Sequence, residues 1–308
     1  MHTVNPPKVS VIIPTYNRPH LVSRAIRSVL EQSYQDFEVI VVDDGLDKRS
    51  KDVIEGIGDG RVRYIENVKS EGAPASRNRG AKESRGDYLA FLDDDDEWSP
   101  HKLELQIKGL ERYPQAVASH VSIALCDGKK ERAASRVHGE EGLVNVFDRT
   151  LYRPYIWTSA LVVRKNAFEH VHGFDEMLPK NQEWDLVLRL APLGPFFAVN
   201  QILVQIHILG DGEHMGGRKN ISNIISGHEM LVQKHLHAYR KNRRAYGRIA
   251  FKLYTLYREV GEFSDMRTWA LRAWTAKPFS IVYAKHALAL LLGMRFYTLC
   301  IGFAKNLS

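Results

Sequence analysis

The feature that most constrains this chain is an apolar run that ends in four consecutive carboxylates, over Tyr88–Asp96. Its first part, Tyr88–Leu92, is short and continuously apolar, as expected of a buried strand. Four adjacent anions repel one another unless a cation lies between them. A divalent cation that holds a phosphorylated ligand would take carboxylate oxygens. The alternative is a solvated acidic turn. The choice between a metal site and a turn depends on the other features of the sequence.

Other short apolar runs alternate with stretches of helical spacing before this strand. Continuous apolar strands that alternate with helices predict an α/β fold with a mostly parallel sheet, covered on both faces in a Rossmann-like nucleotide-binding half. The predicted strands are Val9–Ile13, Phe37–Val42 and Arg61–Ile65, and the predicted helices are Leu21–Gln32, Lys51–Ile57 and Gly72–Ser84.

Polar clusters follow three of these strands, namely Thr15–Arg18, Asp43-Asp44 and Asp93–Asp96. Because ligands of open parallel sheets bind beyond the carboxyl ends of the strands, we expect the three clusters to share one edge. Their combination is more informative than any one of them, and it favours a binding site over a solvated turn.

The pattern continues less regularly after the acidic run. A helix over Pro100–Tyr113 is expected to begin at a Ser99-Pro100 cap. Residues 132–141 show no periodicity and are expected to form a mobile loop, and the Gly-rich residues 210–217 are expected to form a lid or hinge. Further strands are predicted at Ala116–Leu125, Trp157–Val163 and Phe196–Ile208, and a further helix at Gln182–Ala191.

Charge divides the chain into two parts. From Met215 to Ser308 there are 16 Lys and Arg against 4 Asp and Glu, a net charge of +12, whereas the preceding part carries −5. The pattern of the tail predicts basic amphipathic helices, so we expect a first domain over 1–215 and a helical C-terminal region over 216–308. These helices would pack on the core or also face an anionic membrane surface.

The composition indicates an ordinary folded protein of a reducing compartment. Only Cys126 and Cys300 are present, which excludes a disulfide framework. The sequence shows no signal-peptide pattern and no apolar run of the ~18–20 residues that a spanning helix needs. We therefore expect a cytoplasmic protein, either free or peripheral on the inner face of the membrane. Nucleic acid is not an expected partner of the basic tail, since no recognised motif accompanies the charge.

Five motifs stand in order along the chain: Val11–Arg18, Val41–Gly45, Arg77–Gly80, Phe91–Asp96 and Gln182–Arg189. Together they resemble family 2 glycosyltransferases, over roughly residues 8 to 210. The resemblance implies an inverting enzyme of the GT-A fold that uses a nucleotide-sugar, with a UDP-sugar as the expected donor.

The resemblance also implies roles for residues at the strand ends. Tyr16 would stack on the base, Asp44 would accept a hydrogen bond from a ring N–H, and Arg77 would face the base or the diphosphate. Asn78 and Gly80 would instead pack their helix. The implied nucleotide-sugar contacts are Pro14, Thr15, Tyr16, Arg18, Asp44, Arg77, Asp93 and Asp94.

The acidic run matches the Asp-x-Asp motif of the family. Asp95, together with Asp93, would hold Mn²⁺ or Mg²⁺ against the diphosphate, and the metal would stabilise the leaving group as a Lewis acid. Aspartate at every position leaves the register open by one residue, so Asp94 could contact the ribose or complete the metal shell.

The catalytic base implied by the resemblance is Glu183. The family usually has two acids before Trp-Asp-Leu, and here Gln182 replaces the first. Asp185 is the alternative base, and a purely structural role for Glu183 is a first-turn acid that complements the helix dipole. Trp184 and Asp185 would otherwise contact the acceptor, and His207 would close over the diphosphate or serve as a structural histidine.

The acceptor implied by the resemblance is a saccharide or a lipid-linked molecule of a surface polysaccharide. Two other functions remain open, a nucleotide-sugar-binding assembly protein without turnover and a nucleotidylyltransferase. The latter would need a Gly-rich loop after the first strand, where this chain has Thr15–Pro19 without glycine.

Overall fold

The computed structural model describes residues 6–45, 49–127, 131–135, 141–208, 220–293 and 297–298. The chain divides into two compact units, each described here by itself. Unit 1 comprises residues 1–150, 155–177 and 182–217, and unit 2 comprises residues 151–154, 178–181 and 218–308. The Gly-rich residues 210–217, predicted as a lid, lie outside the described residues.

Unit 1 is built on one mixed sheet, and its described strands follow in chain order as β1 to β10. They are Val9–Thr15, Phe37–Asp43, Val62–Glu66, Tyr88–Phe91, Asp96–Trp98, Ala118–Cys126, Glu131–Ser135, Gly142–Val144, Leu161–Arg164 and Phe196–His207.

The strand order is β3-β2-β1-β4-β9-β6-β10-β5, and β7 and β8 pair with β6 and β10. The ladders among β3, β2, β1 and β4 are parallel, as is the long ladder between β6 and β10. Strand β9 runs antiparallel between β4 and β6. The predicted α/β fold with a mostly parallel nucleotide-binding half is therefore confirmed, with β9 joining the two parallel parts.

Helices cover both faces of this sheet. The bounds of the helices in and bordering unit 1 are α1 Pro19–Leu30, α2 Arg49–Glu55, α3 Ala73–Lys82, α4 Lys102–Arg112, α5 Phe147–Tyr152, α6 Lys165–His170 and α7 Gln182–Leu190. Val11 and Ile13 of β1 pack with residues of α1, α2 and α4. Ile12, on the opposite face, packs with residues of α3, α6 and α7. The alternation of β1 between two apolar layers explains its continuous apolar run.

Three local predictions are wrong. The helix α4 begins at Lys102, and its N-cap is His101 without a side-chain cap, so Ser99-Pro100 lies before the helix. In the loop predicted over 132–141, residues 132–135 belong instead to a strand paired with β6, whereas residues 136–140 lie outside the described residues. Because edge pairing supplies the hydrogen bonds of this strand, it needs no hydrophobic alternation. Residues 158–160, predicted as strand, form a 3₁₀ turn before β9.

Over residues 220–293, unit 2 consists of helices joined by short turns. Its helices are α8 Ile221–Lys234, α9 Leu236–Lys241, α10 Arg243–Val260, α11 Phe263–Ala276 and α12 Ile281–Leu291. Asn220 and Asn242 cap α8 and α10 through their side chains. Gly261 ends α10 in the left-handed conformation, which glycine adopts without steric cost. The predicted helical tail is therefore confirmed over its described part.

Candidate active site

The three polar clusters meet at the carboxyl edge of β1, β2 and β4. Thr15 is the register partner of Asp43, and the Asp44 amide donates to the Thr15 carbonyl at 2.8 Å. On the other side of β1, the Leu92 amide donates to the Ile12 carbonyl at 3.1 Å, which brings the acidic run beside the Thr15–Arg18 loop. Parallel pairing in register thus assembles the edge that the sequence predicts.

The four aspartates alternate between buried and accessible positions. Asp94 and Asp96 are buried, whereas the side chains of Asp93 and Asp95 are 34% and 17% exposed. Asp94 accepts hydrogen bonds from the Thr15 hydroxyl at 2.7 Å and from Arg18 Nη1 at 3.1 Å. Asp96 accepts one from the Ser159 hydroxyl. Asp94 and Asp96 therefore anchor the loop, and Asp93 and Asp95 are the carboxylates that a ligand can reach.

Arginines accompany the two accessible carboxylates. Arg77 of α3 donates to Asp93, and Arg18 Nη1 lies 3.1 Å from Asp95 Oδ2 as well as from Asp94. The Arg77 side chain is mostly buried, and its Nε has no hydrogen-bond partner among the described residues. This Nε is itself buried, so a ligand would have to meet the guanidinium through its other nitrogens. Planar forks of this kind suit phosphate oxygens.

Burial and like charge shift the proton affinities of the acidic run. Burial raises the pKa of Asp94 to about 7, although Arg18 and the Thr15 hydroxyl act in the opposite direction. Burial and the Asp93 charge raise the pKa of Asp95. Burial, followed by the charges of Asp93 and Asp95, raises the pKa of Asp96 well above its ordinary value. Ionising these carboxylates together is therefore unfavourable, and a cation bound beside them would favour their ionised forms.

Asp44 is the most fully satisfied carboxylate of the edge. It accepts hydrogen bonds from Asn67 Nδ2 at 2.7 Å, the Ser70 hydroxyl at 2.8 Å, and the amides of Glu71 and Gly72 at 2.8 and 2.9 Å. Burial raises its pKa, but the four donors outweigh that effect, so the pKa of Asp44 lies below its ordinary value. Asp44 is therefore a carboxylate that remains ionised at neutral pH.

Helix α3 carries Arg77 to the edge because it packs unusually close to the sheet. A Cβ on Gly80 would lie 2.6 Å from Ile12 Cγ2, so only glycine fits this contact without displacement. Asn78 bonds both the amide and the carbonyl of Phe174, at 2.8 and 2.9 Å. The structure thus places Gly80 and Asn78 in packing contacts, as the sequence predicts.

Helix α7 carries the predicted base on the sheet face that α3 also covers. Glu183 is half-buried in the first turn. Asp185 is fully buried and accepts a hydrogen bond from Arg189 Nε at 2.7 Å, while the buried Trp184 donates to the Thr150 carbonyl at 2.6 Å. Of these three side chains, Glu183 is the most accessible to an acceptor.

His207 lies beside the acidic run because β10 pairs with β5. Its Nε2 is 2.7 Å from Glu97 Oε1, and its backbone donates to the Asp96 carboxylate. Pro14 and Thr15 are buried within β1, whereas Tyr16 is 39% exposed. The edge therefore gathers Thr15, Tyr16, Arg18, Asp44, Arg77, Asp93, Asp94, Asp95 and His207, and the sequence had singled out each of them.

Ser159 is a site residue that the sequence did not indicate. Its hydroxyl accepts a hydrogen bond from the Asp93 amide at 3.1 Å and donates to the Asp96 carboxylate. Its carbonyl accepts one from Trp98 Nε1 at 2.8 Å. A lone serine in an apolar stretch carries no signal for this bridge, since β9 joins β4 only through long-range pairing.

The carboxylates of the loop could supply some, but not all, of the oxygen ligands of a hard cation. In the described part of the chain, no three His, Cys, Asp or Glu side chains form a group that could hold a metal. Mg²⁺, however, is commonly bound by one or two carboxylates together with phosphate oxygens. Asp93 and Asp95 fit such a shared site, because both carboxylates are accessible.

The fold is that of a GT-A-type glycosyltransferase. The crystal structure of S. aureus TarS residues 1–349 in complex with UDP-GlcNAc superimposes with a TM-score of 0.66 at 17% identity, covering 95% of this chain and 81% of that one. At this identity the likeness establishes the fold alone. It confirms the GT-A architecture predicted from the sequence.

The chain belongs to glycosyl transferase family 2, whose family model matches residues 10–171, more than half of the chain. It is 26% identical to the putative colanic acid biosynthesis glycosyl transferase WcaA of Escherichia coli K12, over 86% of this chain and 92% of the relative. It is 39% identical to an E. coli UDP-Glc:alpha-D-GlcNAc-diphosphoundecaprenol beta-1,3-glucosyltransferase, WfgD, over 32% of this chain and 39% of that protein. The predicted family is therefore confirmed.

Proposed function

We propose that this glycosyltransferase moves a sugar from a UDP-sugar to a hydroxyl of a saccharide or lipid-linked acceptor in surface polysaccharide biosynthesis, with inversion at the anomeric carbon. The observation that carries the proposal is the edge where Arg18 and Arg77 accompany the accessible carboxylates Asp93 and Asp95. The relatives support the substrate class, since one is named for colanic acid biosynthesis and another for UDP-Glc and a diphosphoundecaprenol acceptor.

The nucleotide would bind over the ends of β1 and β2. Tyr16 is the exposed aromatic side chain there and would stack on the base. Asp44 already accepts four hydrogen bonds, so a base N–H would replace its one exposed side-chain donor, Ser70. The buried Asn67 and the two backbone amides would stay in place and hold the carboxylate in its orientation.

The diphosphate would lie against the acidic run. Asp93 and Asp95 would hold Mn²⁺ or Mg²⁺ there, and the metal would act as a Lewis acid towards the leaving diphosphate. Arg77, held in place by its pair with Asp93, would donate to phosphate oxygens through guanidinium nitrogens other than the buried Nε. Asp94 would keep its bonds to Thr15 and Arg18 and hold the loop in shape.

Glu183 would act as the general base of a single displacement. Its carboxylate would take the proton of the acceptor hydroxyl as that oxygen forms a bond to the anomeric carbon. The bond from the anomeric carbon to the diphosphate oxygen breaks in the same step, and UDP leaves with the electron pair. Asp185 is buried beside Arg189 and would orient α7, so Glu183 is the better candidate for the base.

The test is the change Glu183→Gln, which removes the base and keeps the shape of the side chain. We expect transfer to fall by roughly 10²–10⁴-fold, the range associated with general bases. The affinity for the UDP-sugar, measured by calorimetry, should stay within about twofold. Glu169→Gln, an exposed acid on α6, is the matched control and should leave both quantities unchanged.

Two outcomes would contradict this assignment. Near-normal turnover of Glu183→Gln would exclude Glu183 as the base. If the wild-type chain binds UDP-sugars but transfers to no hydroxyl acceptor across a panel of lipid-linked saccharides, the chain would be a binding protein without turnover. A screen of nucleotide-sugars by thermal shift, with and without Mn²⁺, identifies the donor and the metal requirement in the same experiment.

A further inference from the structure

Helix α12 of unit 2 presents an apolar face to solvent. Ile281 is 85% exposed, Leu292 just after the helix is 66% exposed, and Phe279 just before it is 98% exposed. Val282, Leu288 and Leu291 are each about half exposed. Scattered exposed apolar residues are common, but a contiguous set on one element indicates an interaction surface.

The exposed residues follow helical spacing. Ile281, Val282, Lys285, Leu288 and Leu292 fall at i, i+1, i+4, i+7 and i+11, and therefore lie on one side of α12. Residues of the other side are packed. Tyr283 stacks on Phe251 with ring centroids 4.6 Å apart, and His286 lies 2.6 Å from the Tyr254 hydroxyl. The helix is thus fixed to α10 by one face while the opposite face is apolar and open.

The sequence segment that contains this face carries charge of one sign. From Met266 to Ser308 the sequence contains six Lys and Arg and no Asp or Glu. Lys277 precedes the exposed Phe279, and Lys285 lies within the exposed face itself. A lysine in this position can bury its aliphatic stem along apolar surface while its ammonium group reaches a polar layer.

We propose that this face, defined by Phe279, Ile281, Val282, Leu288, Leu291 and Leu292, docks on the surface of a bilayer that contains anionic lipids. Apolar side chains interspersed with cations and without anions match the acyl boundary and the negative headgroups together. A protein partner would require acidic residues at the matching positions, and a second copy of the chain would bring like charges together. In the described residues, no helix is long and apolar enough to cross a bilayer. The helix therefore lies on the membrane surface.

The experiment is flotation of the full chain with vesicles, and it needs no nucleotide-sugar, so it is independent of the proposed transferase activity. Vesicles of phosphatidylcholine with about one third phosphatidylglycerol are compared with phosphatidylcholine alone. We expect the wild-type chain to float with the anionic vesicles. The double change Ile281→Glu/Leu288→Glu should weaken this association by roughly tenfold or more, because two apolar groups leave the acyl boundary and two anions enter it.

Met177→Glu is the matched control, since Met177 is an apolar residue of unit 1 that is 79% exposed. It should float as the wild type does. Because both changed positions are exposed, the double variant should keep the wild-type circular dichroism and melting temperature.

Three results would overturn the proposal. The first is a wild-type chain that remains unbound with both kinds of vesicle. The second is a double variant that floats as well as the wild type. The third is a wild-type dimer, seen by sedimentation without lipid, that the double variant abolishes, because the face would then be an interface between copies.

Discussion

Individual aspartates of the acidic run have different tasks despite their identical side chains. Asp94 and Asp96 point into bonds with Thr15, Arg18 and Ser159, whereas Asp93 and Asp95 remain accessible. The sequence predicted a metal loop but left its register open, because four equal letters carry no information on which side chains turn inward. The residues that decide the register, above all Ser159, are distant in the chain.

One substitution tests the bridge through Ser159. Ser159→Ala removes the donor to the buried Asp96 carboxylate and the acceptor of the Asp93 amide. We expect a loss of about 1–3 kcal/mol in the free energy of unfolding, because a buried polar group loses its partner. The affinity for the UDP-sugar should also weaken, since Asp93 is held less firmly. Urea unfolding measures the change in stability, and calorimetry measures the affinity for the UDP-sugar.

The control for this change is Ser226→Ala, which removes a hydroxyl of α8 whose recorded contact is with the Met230 sulfur. It should alter stability by no more than a few tenths of a kcal/mol, as is usual where no buried partner is orphaned. Unchanged donor affinity in Ser159→Ala would show that the bridge does not position Asp93.

At the scale of elements, helix α3 shows how packing serves the site. Gly80 allows α3 to approach β1 so closely that a Cβ would meet Ile12 and Val42 side chains at 2.6 and 3.2 Å. Arg77 lies one turn earlier on the same helix and reaches Asp93. The position of this arginine therefore depends on a contact between a glycine and an isoleucine on the sheet.

A single methyl group at Gly80 tests this dependence. We expect Gly80→Ala to lower the free energy of unfolding by about 1–3 kcal/mol, as overpacking of a tight contact does. We also expect weaker binding of the donor diphosphate, because α3 must move away from the sheet with Arg77. Thermal unfolding and donor titration provide the measurements.

Gly60→Ala is the matched control for this helix contact, since no atom lies within 4 Å of a Cβ built there. It should leave both stability and donor affinity close to wild type. If Gly80→Ala destabilises the fold yet binds the donor normally, Arg77 does not contribute through the placement of α3.

The elements also show what local sequence could and could not predict. The continuous apolar runs predicted β1, β2 and β4 within two residues of their ends, because strands buried on both faces need apolar residues throughout. Strand β7 escaped prediction, since its pairing with β6 is set by the sheet and not by its own alternation. The antiparallel insertion of β9 between β4 and β6 is likewise a long-range result.

At the scale of the whole molecule, acid stability depends on a histidine inside the sheet. His120 of β6 is buried against Tyr155, with ring centroids 5.7 Å apart. Burial and then the Arg149 charge lower the pKa of His120 to about 3. The folded protein therefore keeps this ring neutral, whereas the unfolded chain takes up a proton below its ordinary value of about 6.5.

This difference in pKa makes the free energy of unfolding depend on pH. The contribution of His120 to that free energy is complete above pH 6.5 and is lost as the pH falls towards 3, at up to about 1.4 kcal/mol per pH unit. We expect His120→Gln to flatten the decline of stability between pH 6.5 and 4. Urea midpoints at several pH values measure it, with the exposed His170→Gln as control. An equal slope in the wild type and in His120→Gln would contradict the assignment.

The alternation along the acidic run has a consequence for redundancy. With four aspartates in a row, the loss of one would be expected to leave enough carboxylates to bind a metal ion. Because inward and outward positions interleave, deletion of one residue would exchange the two pairs and turn an anchoring carboxylate towards solvent. The run therefore has no reserve, because replacement of any one of the four removes either an anchoring carboxylate or an accessible one.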